Sequence, residues 1–297
     1  MDQPADGAAR SDYYLGVTFV VVAAATYSTA GLFTKGVSAG AWEVIFWRGI
    51  FASAFTVLWT LARRSWTAEF ARMGSSGWAV GIVGALGSAA FIPAFKLTTI
   101  ANVSLIYAVA PLVAALLGWL AIGERASART LVGSAVALGG IAIIVSGSLG
   151  EASLTGDLLA LCMTVAMASI MVIYRKYPGT PGAGPSALQS LLLLPVAAVV
   201  SSPLQIERTE MMVLAAFGLL FAVSSVALAE GAKRIATGQT ALLSALETPL
   251  ALVFALLFFD EVPGSVVLLG GGLVLAAVLL SLLAPDRAAA RRGAPLR

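Results

Sequence analysis

Apolar residues occur along this chain in long runs that are separated by short polar segments. About ten such runs, of 17 to 20 residues each, can be marked out. At ~1.5 Å of rise per residue, each run is long enough to cross the hydrocarbon core of a bilayer as an α-helix. The pattern therefore predicts an all-α membrane protein with ten transmembrane helices. The predicted helices are Leu15–Phe33, Val44–Leu61, Gly77–Phe95, Val103–Ile122, Thr130–Ser146, Leu158–Tyr174, Ser186–Ser202, Met211–Leu228, Leu242–Phe259 and Gly264–Leu283.

The composition supports the same class of protein. Hydrophobic residues make up 59% of the chain and charged residues 11%, whereas soluble domains carry about 25% charged residues. The chain has no His, which excludes Ser-His catalysis and removes the commonest metal ligand. Its single Cys162 permits no intramolecular disulfide. We expect no catalytic residue, no metal site and no cofactor.

Lysine and arginine residues are divided unevenly between the two sets of loops. One set, together with both termini, holds Arg10, Arg63, Arg64, Arg72, Arg125, Arg129, Arg175, Lys176, Lys233, Arg234, Arg287, Arg291, Arg292 and Arg297. The opposite set holds only Lys35, Lys96 and Arg208. Because cytoplasmic loops carry the excess of positive residues, both termini are predicted to be cytoplasmic, in a multi-pass protein of the inner (plasma) membrane. The net charge of +3 then reflects membrane topology rather than nucleic-acid binding.

The two ends of the chain lie outside the predicted spans. Residues 1–14 form a polar segment with three acids, unlike the basic start of a cleavable signal peptide, so Leu15–Phe33 is taken as a retained helix. Residues 285–297 form a basic tail, which we expect on the cytoplasmic side with the N-terminal segment.

The second half of the chain repeats features of the first. Pro111 precedes Glu124 by thirteen residues, and Pro249 precedes Glu261 by twelve. A short loop and a glycine-rich span follow each glutamate. Because each half contains an odd number of spans, the two copies must be inverted across the membrane, which is typical of secondary transporters. The predicted five-helix units are residues 15–147 and 155–284.

The duplicated unit resembles the drug/metabolite transporter superfamily, in its EamA-type ten-helix group. The resemblance covers nearly the whole chain and is carried by the Pro111 to Gly123-Glu124 pattern, its echo from Pro249 to Glu261, and Arg48 in the second span. Two features depart from it. The second copy reads Asp260-Glu261 where the family favours Gly-Glu, and Leu188-Gln189 stand where a counterpart of Arg48 is expected.

The resemblance implies a function and a place for the substrate. Members of the group export small metabolites or facilitate their movement, and amino-acid exporters form a well-populated branch. The substrate site implied by the resemblance is a central cavity that both halves line. We therefore expect an exporter of small amphiphilic metabolites, with amino acids as the preferred class.

Glu247 is the ionisable residue that lies deepest in a predicted span. A carboxylate there costs at least a few kcal/mol unless it is solvated or paired. It either faces a cavity, where it binds an ammonium group or carries a proton, or it is a protonated glutamate hydrogen-bonded between helices. Thr240, Ser244 and Thr248 share its helical face by their spacing, which indicates a polar wall. Glu247 has no counterpart in the first half, where Val109 occupies the corresponding position.

The two prolines each remove a backbone hydrogen-bond donor. Pro111 leaves the carbonyl of Tyr107 without its helical partner, and Pro249 does the same to Ala245. Such a carbonyl can bind a substrate ammonium or water, or it can be satisfied by a neighbouring hydroxyl, for which Ser244 is well placed.

Arg48 also has two interpretations. It lies about a turn and a half below the outer end of its span, from where its long side chain can snorkel to the surface. Alternatively it pairs with a substrate carboxylate or with Glu43. A pair with Glu247 is not expected, since the two differ in depth by on the order of 10 Å.

Aromatic residues complete the candidate site. Phe91 and Phe95, with Trp47 and Tyr107 from other spans, can line a cavity for an apolar side chain, although membrane aromatics commonly face lipid or a neighbouring helix. Tyr27 lies within a run of hydroxyl residues in the first span. The candidate substrate-binding residues are Tyr27, Trp47, Phe91, Phe95, Tyr107, Ser244, Glu247 and Thr248.

Three other functions are alternatives to an amino-acid exporter. The first is a lipid or glycolipid flippase of the same superfamily, which requires a laterally open groove. The second is a membrane-embedded enzyme, which requires a cluster of acids or His within the spans, and the third is a channel or assembly factor.

The sequence also limits the energy source of transport. There is no phosphate-binding loop and no soluble stretch large enough for an ATPase domain, so transport must draw on the substrate gradient or on coupled ions. The expected partners are a small-molecule substrate and the lipid bilayer; the oligomeric state is open, with a monomer compatible.

Overall fold

The fold is helical throughout the part of the chain that the structure describes. The structure is a computed structural model, and it describes residues 3–30, 33, 37–97, 103, 106–145, 153–204, 206–259 and 265–282. The helices are α1 (Gln3–Tyr27), α2 (Ala41–Ala62), α3 (Gly74–Leu97), α4 (Ala110–Ile122), α5 (Ala128–Val145), α6 (Leu154–Lys176), α7 (Ala183–Val200), α8 (Arg208–Arg234), α9 (Thr237–Ser244), α10 (Glu247–Phe259) and α11 (Ser265–Leu282).

The lengths and composition of these helices are those of a multi-pass membrane protein. Among the described residues, α2, α3, α6, α7 and α8 are each long and apolar enough to cross a membrane. Shorter apolar helices lie at Ala110–Ile122, Ala128–Ile143 and Leu268–Leu280. The prediction of an all-helical membrane fold is thus confirmed.

The helices pack in a pattern that links the two halves of the chain. The most extensive contacts join α5 to α11, α3 to α6, α1 to α8 and α2 to α7. α2 and α3 also pack against α8 and α7 respectively, and α4 contacts both α6 and α9. Most of the large helix–helix interfaces are therefore formed between the halves, and α1, α2, α7 and α8 surround the interior near Tyr27.

Small residues allow the helix backbones to approach closely. A Cβ atom on Gly140 of α5 would lie 2.7 Å from the carbonyl oxygen of Gly270 in α11. One on Gly231 of α8 would collide with Val20 of α1. Gly81 of α3 lies against Leu188 of α7. Since lipid gives apolar helices no hydrophobic reason to associate, such close backbone contacts supply the packing energy.

Two of the predicted spans are broken rather than continuous. The predicted span Leu242–Phe259 is divided at Ala245-Leu246, between α9 and α10, and the predicted span Val103–Ile122 has a turn at Ala108-Val109 before α4. Each break comes shortly before a proline, whose missing N–H and ring favour a tightened turn. The Leu246 N–H donates to Leu243 O at 3.1 Å, three residues back instead of four.

The first helix also differs from its prediction. α1 begins at Gln3, within the polar segment, and ends at Tyr27, where Ser28 and Thr29 form a turn. The hydroxyls of both turn residues donate to carbonyls three residues back, at 2.7 Å. These side chains compete with the regular helical pattern, which explains the early end.

The end of the bundle that bears most of the basic loops is held by carboxylates. Gly123 adopts a left-handed conformation (φ 68°) and ends α4, with the Glu124 N–H donating to Gly118 O at 3.2 Å. This turn presents the Glu124 carboxylate to Arg175 Nε at 3.1 Å and to the Thr237 N–H and hydroxyl at 3.1 and 2.9 Å. Glu124 therefore connects the α4–α5 loop to the end of α6 and the start of α9.

The neighbouring glycines Gly139 and Gly140 allow a matched test of the α5–α11 contact. We expect Gly140→Ala to destabilise the protein by about 1–3 kcal/mol, because the added methyl group meets backbone that cannot yield. Gly139 has open space at its Cβ position, so Gly139→Ala carries the same change in helix propensity without the collision. The measurement is unfolding of the detergent-purified variants; equal stability of the two would contradict the packing described.

Removing the Glu124 carboxylate tests the polar connection. We expect Glu124→Ala to cost about 1–3 kcal/mol, because Arg175 and the Thr237 N–H lose their acceptor in a partly buried setting. The control is Glu207→Ala, since Glu207 is exposed and its carboxylate contacts only Thr209, at 3.5 Å, among the described residues. Thermal unfolding in detergent compares them, and an equal loss in both variants would refute a special role for Glu124.

Candidate functional site

Glu247 lies at a break in the helix near the middle of the bundle. It is the first residue of α10, directly after the turn at Ala245-Leu246, and its side chain is half-buried. Ten residues separate it from Thr237 at the basic end of α9, which corresponds to about 15 Å of helix. It is therefore close to mid-span.

Two tyrosines lie close to Glu247. The Tyr27 hydroxyl is within electrostatic range of Glu247, and Tyr107 is within range of both Glu247 and Tyr27. Tyr27 comes from the end of α1, whereas Tyr107 precedes the turn before α4. The two helix breaks and the end of α1 thus bring three of the predicted site residues together.

Neutral polar residues extend this group. The Tyr27 hydroxyl lies 3.1 Å from Ser225 Oγ of α8, and Gln189 Nε2 of α7 lies 3.5 Å from the same oxygen. We call Tyr27, Tyr107, Gln189, Ser225 and Glu247 the interior polar cluster. It contains hydroxyl and amide groups that can donate and accept, and one carboxylate, which suits it to bind an ammonium group or to pass a proton.

Arg48 does not snorkel to the surface. Its side chain is only 2% exposed, and the guanidinium carbon lies 4.1 Å from the centre of the Phe221 ring and 5.7 Å from that of Phe217. α2 begins at Ala41, so Arg48 is about 10 Å along the helix and α8 covers it. Stacking on these rings replaces the snorkelling predicted from its depth.

Arg48 lacks an ionic partner among the described residues. Its Nε has no hydrogen-bond partner, and none of the ion pairs in this part of the chain includes it. Glu43, the alternative partner considered from the sequence, instead accepts from the Ser202 N–H at 3.4 Å. As predicted, Arg48 does not pair with Glu247.

The predicted polar wall of the ninth span is divided by the helix break. Thr240 and Ser244 are buried, and their hydroxyls donate to carbonyls four residues back, those of Ala236 and Thr240 respectively. Thr248 and Glu247 lie beyond the turn and are half-buried. The single continuous face drawn from the sequence is therefore wrong, because the spacing assumed an unbroken helix.

The carbonyl freed by Pro249 is also occupied. Ala245 O accepts the Thr248 N–H at 3.3 Å, a bond made possible by the turn. Ser244 does not bond to it, contrary to the alternative in which this hydroxyl satisfies the carbonyl. The break itself re-satisfies the backbone, as the bilayer interior requires.

The aromatic candidates separate into two places. Phe91 and Tyr107 pack on the same group of small and apolar residues, Ala90, Ala94, Val103, Ala160 and Met163. Trp47 instead donates from Nε1 to Pro203 O at 2.6 Å and stacks on Phe51, which directs it to the end of the bundle opposite Thr237. The side chain of Phe95 lies outside the described residues.

Part of the chain is similar to a known transporter family. Residues 14–146 match the model of the EamA-like transporter family. The first half of this chain is thus similar to that family, and for these residues the resemblance stated from the sequence is confirmed.

A solved structure shares the fold of this chain. It is a crystal structure of a protein with a TM-score of 0.76 and 19% sequence identity, and the match covers 94% of this chain and 99% of the other. At that identity the likeness concerns the fold alone. No curated protein sequence matches the chain.

The sequence analysis missed two members of the interior polar cluster. Gln189 was noted only as one of the two residues that stand where a second Arg48 is expected, and Ser225 was not among the candidates. The signal available for Gln189 was its place in the repeat, because a residue opposite Arg48 in the other half faces the same interior. No signal in the sequence singles out Ser225 from the adjacent Ser224, which bonds to Thr26 instead.

The Tyr27 hydroxyl can be tested without knowledge of the substrate. We expect Tyr27→Phe to lower the free energy of unfolding by about 0.5–1.5 kcal/mol, because Ser225 loses its partner. Tyr14→Phe is the control, since Tyr14 lies on the same helix and is 53% exposed. Chemical unfolding in detergent measures both, and a Tyr27→Phe variant as stable as its control would show that the hydrogen bond contributes nothing.

Proposed function

We propose that this protein is a secondary transporter that moves small amphiphilic metabolites, with amino acids as the main class, outward across the inner membrane by alternating access. The observation that carries the proposal is the interior polar cluster around Glu247. A half-buried carboxylate at mid-span, next to two tyrosines and a helix break, is costly in a bilayer unless it serves a polar substrate or ion.

The contacts between helices support an inverted repeat as the basis of this movement. Exchanging the halves turns the α1–α8 contact into the α6–α3 contact, and the α2–α8 contact into the α7–α3 contact. The α2–α7 and α5–α11 contacts map onto themselves. This is the pattern expected of ten spans in two inverted units, residues 15–147 and 155–284, which exchange conformations across a central site.

The polar contacts at the ends of the helices support the proposed orientation. Ion pairs connect Arg175 to Glu124 and Arg234 to Asp12, and these bring four of the basic segments to one end of the bundle. At the other end, the Ser38 N–H donates to Glu210 at 2.5 Å. We place the basic end, with both termini, in the cytoplasm.

Within this proposal, Glu247 binds the substrate ammonium or carries a coupled proton, and Tyr27 and Tyr107 orient it. Phe91 contacts the apolar part of the substrate. The proposed lining around Glu247 is Tyr27, Phe91, Phe95, Tyr107 and Thr248, and the buried Ser244 supports the turn. Trp47 is proposed to line the path at the end of the bundle opposite Thr237. Thr248 is half-buried beside Glu247.

Uptake into proteoliposomes tests the proposal. We expect labelled neutral amino acids to accumulate with the intact protein, and Glu247→Gln to reduce their initial rate by at least about tenfold, the loss expected when a buried charge partner is removed. Glu207→Gln removes a carboxylate from the surface and should transport normally. Measurements with and without a pH gradient separate proton coupling from substrate binding.

Two outcomes would contradict the proposal. If no amino acid moves and fluorescent lipids are instead scrambled between leaflets, the protein is a flippase. If amino acids move and Glu247→Gln transports them normally at every pH, Glu247 has neither of the roles assigned to it.

A further inference from the structure

Arg48 lies inside the bundle in a setting that leaves its charge uncompensated. It is the one Lys or Arg among the described residues with under a tenth of its surface exposed, and no carboxylate in the described part of the chain pairs with it. An unpaired ion in a low-dielectric interior costs several kcal/mol. Binding of an anionic ligand during transport would offset this cost, because it would give the buried guanidinium a partner.

Two phenylalanines of α8, Phe217 and Phe221, contact the Arg48 guanidinium with their rings. The guanidinium carbon is 4.1 Å from the ring centre of Phe221, and the Phe221 ring in turn meets Tyr27 edge-on at 6.0 Å. A guanidinium has five N–H donors in its own plane. The ring contacts use none of these donors, and Nε has no hydrogen-bond partner. This is a preorganised site for a flat, two-oxygen acceptor.

Among the described residues, those around Arg48 supply no competing negative charge. Tyr27 is the titratable neighbour within electrostatic range, and the groups beyond it are Ser225 and Gln189, both neutral. On the α2 side, Gly49 lies against Ser190 and Leu194 of α7, which are also uncharged. A single carboxylate would therefore neutralise the site without leaving a surplus charge.

Tyr27 connects this site to Glu247. It is within electrostatic range of both ionisable groups, which approach it from α2 and from α10. The two groups carry opposite charge, and neither has a charged counterpart in the other half, where Gln189 and Val109 stand. The interior thus offers one basic and one acidic group within electrostatic range of the same tyrosine.

We propose that Arg48 is the binding site for the carboxylate group of the transported solute. This inference rests on the proposed function and deepens it, because it assigns the acidic end of the substrate to Arg48 and the basic end to Glu247. The substrate class becomes a small solute with a free carboxylate, rather than an amine or a neutral amphiphile.

Three ligands of similar shape test the contributions of the ammonium and carboxylate groups separately. L-leucine carries both, L-leucinamide carries only the ammonium, and 4-methylpentanoate carries only the carboxylate. Binding is measured by the ligand-induced rise in melting temperature of the purified full-length protein and by competition with labelled amino-acid uptake. The variants are Arg48→Met, which keeps much of the apolar stem, and Arg48→Lys, which keeps the charge; Arg208→Met is the surface control.

We expect the wild-type protein to bind leucine and 4-methylpentanoate, and Arg48→Met to lose roughly tenfold or more in affinity for both, as for a buried charge partner removed. Leucinamide should bind Arg48→Met as it binds the wild type. Arg48→Lys should recover part of the carboxylate affinity, and Arg208→Met should behave as the wild type. Glu247→Gln should show the opposite selectivity and lose leucinamide while it keeps 4-methylpentanoate.

A purely structural Arg48 predicts a different result. Arg48→Met would then weaken all three ligands by the same factor, or none of them, and either outcome overturns the proposal while leaving amino-acid transport intact. If Arg48→Met does not fold, Arg48→Lys and the wild type decide: equal wild-type affinity for leucine and leucinamide overturns the carboxylate site. If the proposed function fails and no amino acid is transported, binding of 4-methylpentanoate that depends on Arg48 still supports the site.

Discussion

Apolar helices in a bilayer associate only where their backbones can come close, and this constraint determines how the bundle is built. Lipid solvates Leu and Val as well as another helix does, so the driving force comes from tight packing. The positions that permit it are glycines such as Gly140 and Gly231, where a side chain would collide with the neighbouring helix. Once α5 is placed on α11 and α1 on α8, the remaining helices enclose the interior in which the polar residues lie.

The second constraint is that every backbone group at membrane depth needs a partner. The prolines remove donors, and the chain responds by forming turns at Ala108-Val109 and Ala245-Leu246 rather than leaving carbonyls open. The duplicated prolines could be read from the sequence, and so could the existence of spans at these places. The turns could not, because hydropathy averages over a window and does not register where a helix is interrupted.

The candidate site was predictable to the extent that it depends on single residues. Glu247 stood out because a carboxylate is rare in such a run and because Val109 has no charge at the matching place. The burial of Arg48 was not predictable, since it depends on Phe217 and Phe221, which are more than 160 residues away in the chain. Depth along one helix predicts snorkelling; only the packing of α8 on α2 shows that the route to the surface is closed. The helical spans therefore follow from the apolar pattern along the chain, whereas the surroundings of Arg48 depend on packing between helices that are distant in sequence.

The carboxylates at the basic end of the bundle have an electrical consequence for the membrane surface. Glu69 accepts the N–H groups of Ala183 and Gly184 at the start of α7, and Glu124 does the same for Thr237 at the start of α9. These acids are directed into the protein, whereas Arg63, Arg64, Arg72, Arg125, Arg129 and Lys176 are exposed. The face that meets the headgroups is therefore more positive than its formal charge suggests. At ~1 kcal/mol for each basic residue near an anionic leaflet, phospholipid composition becomes a determinant of how firmly this end of the protein is held.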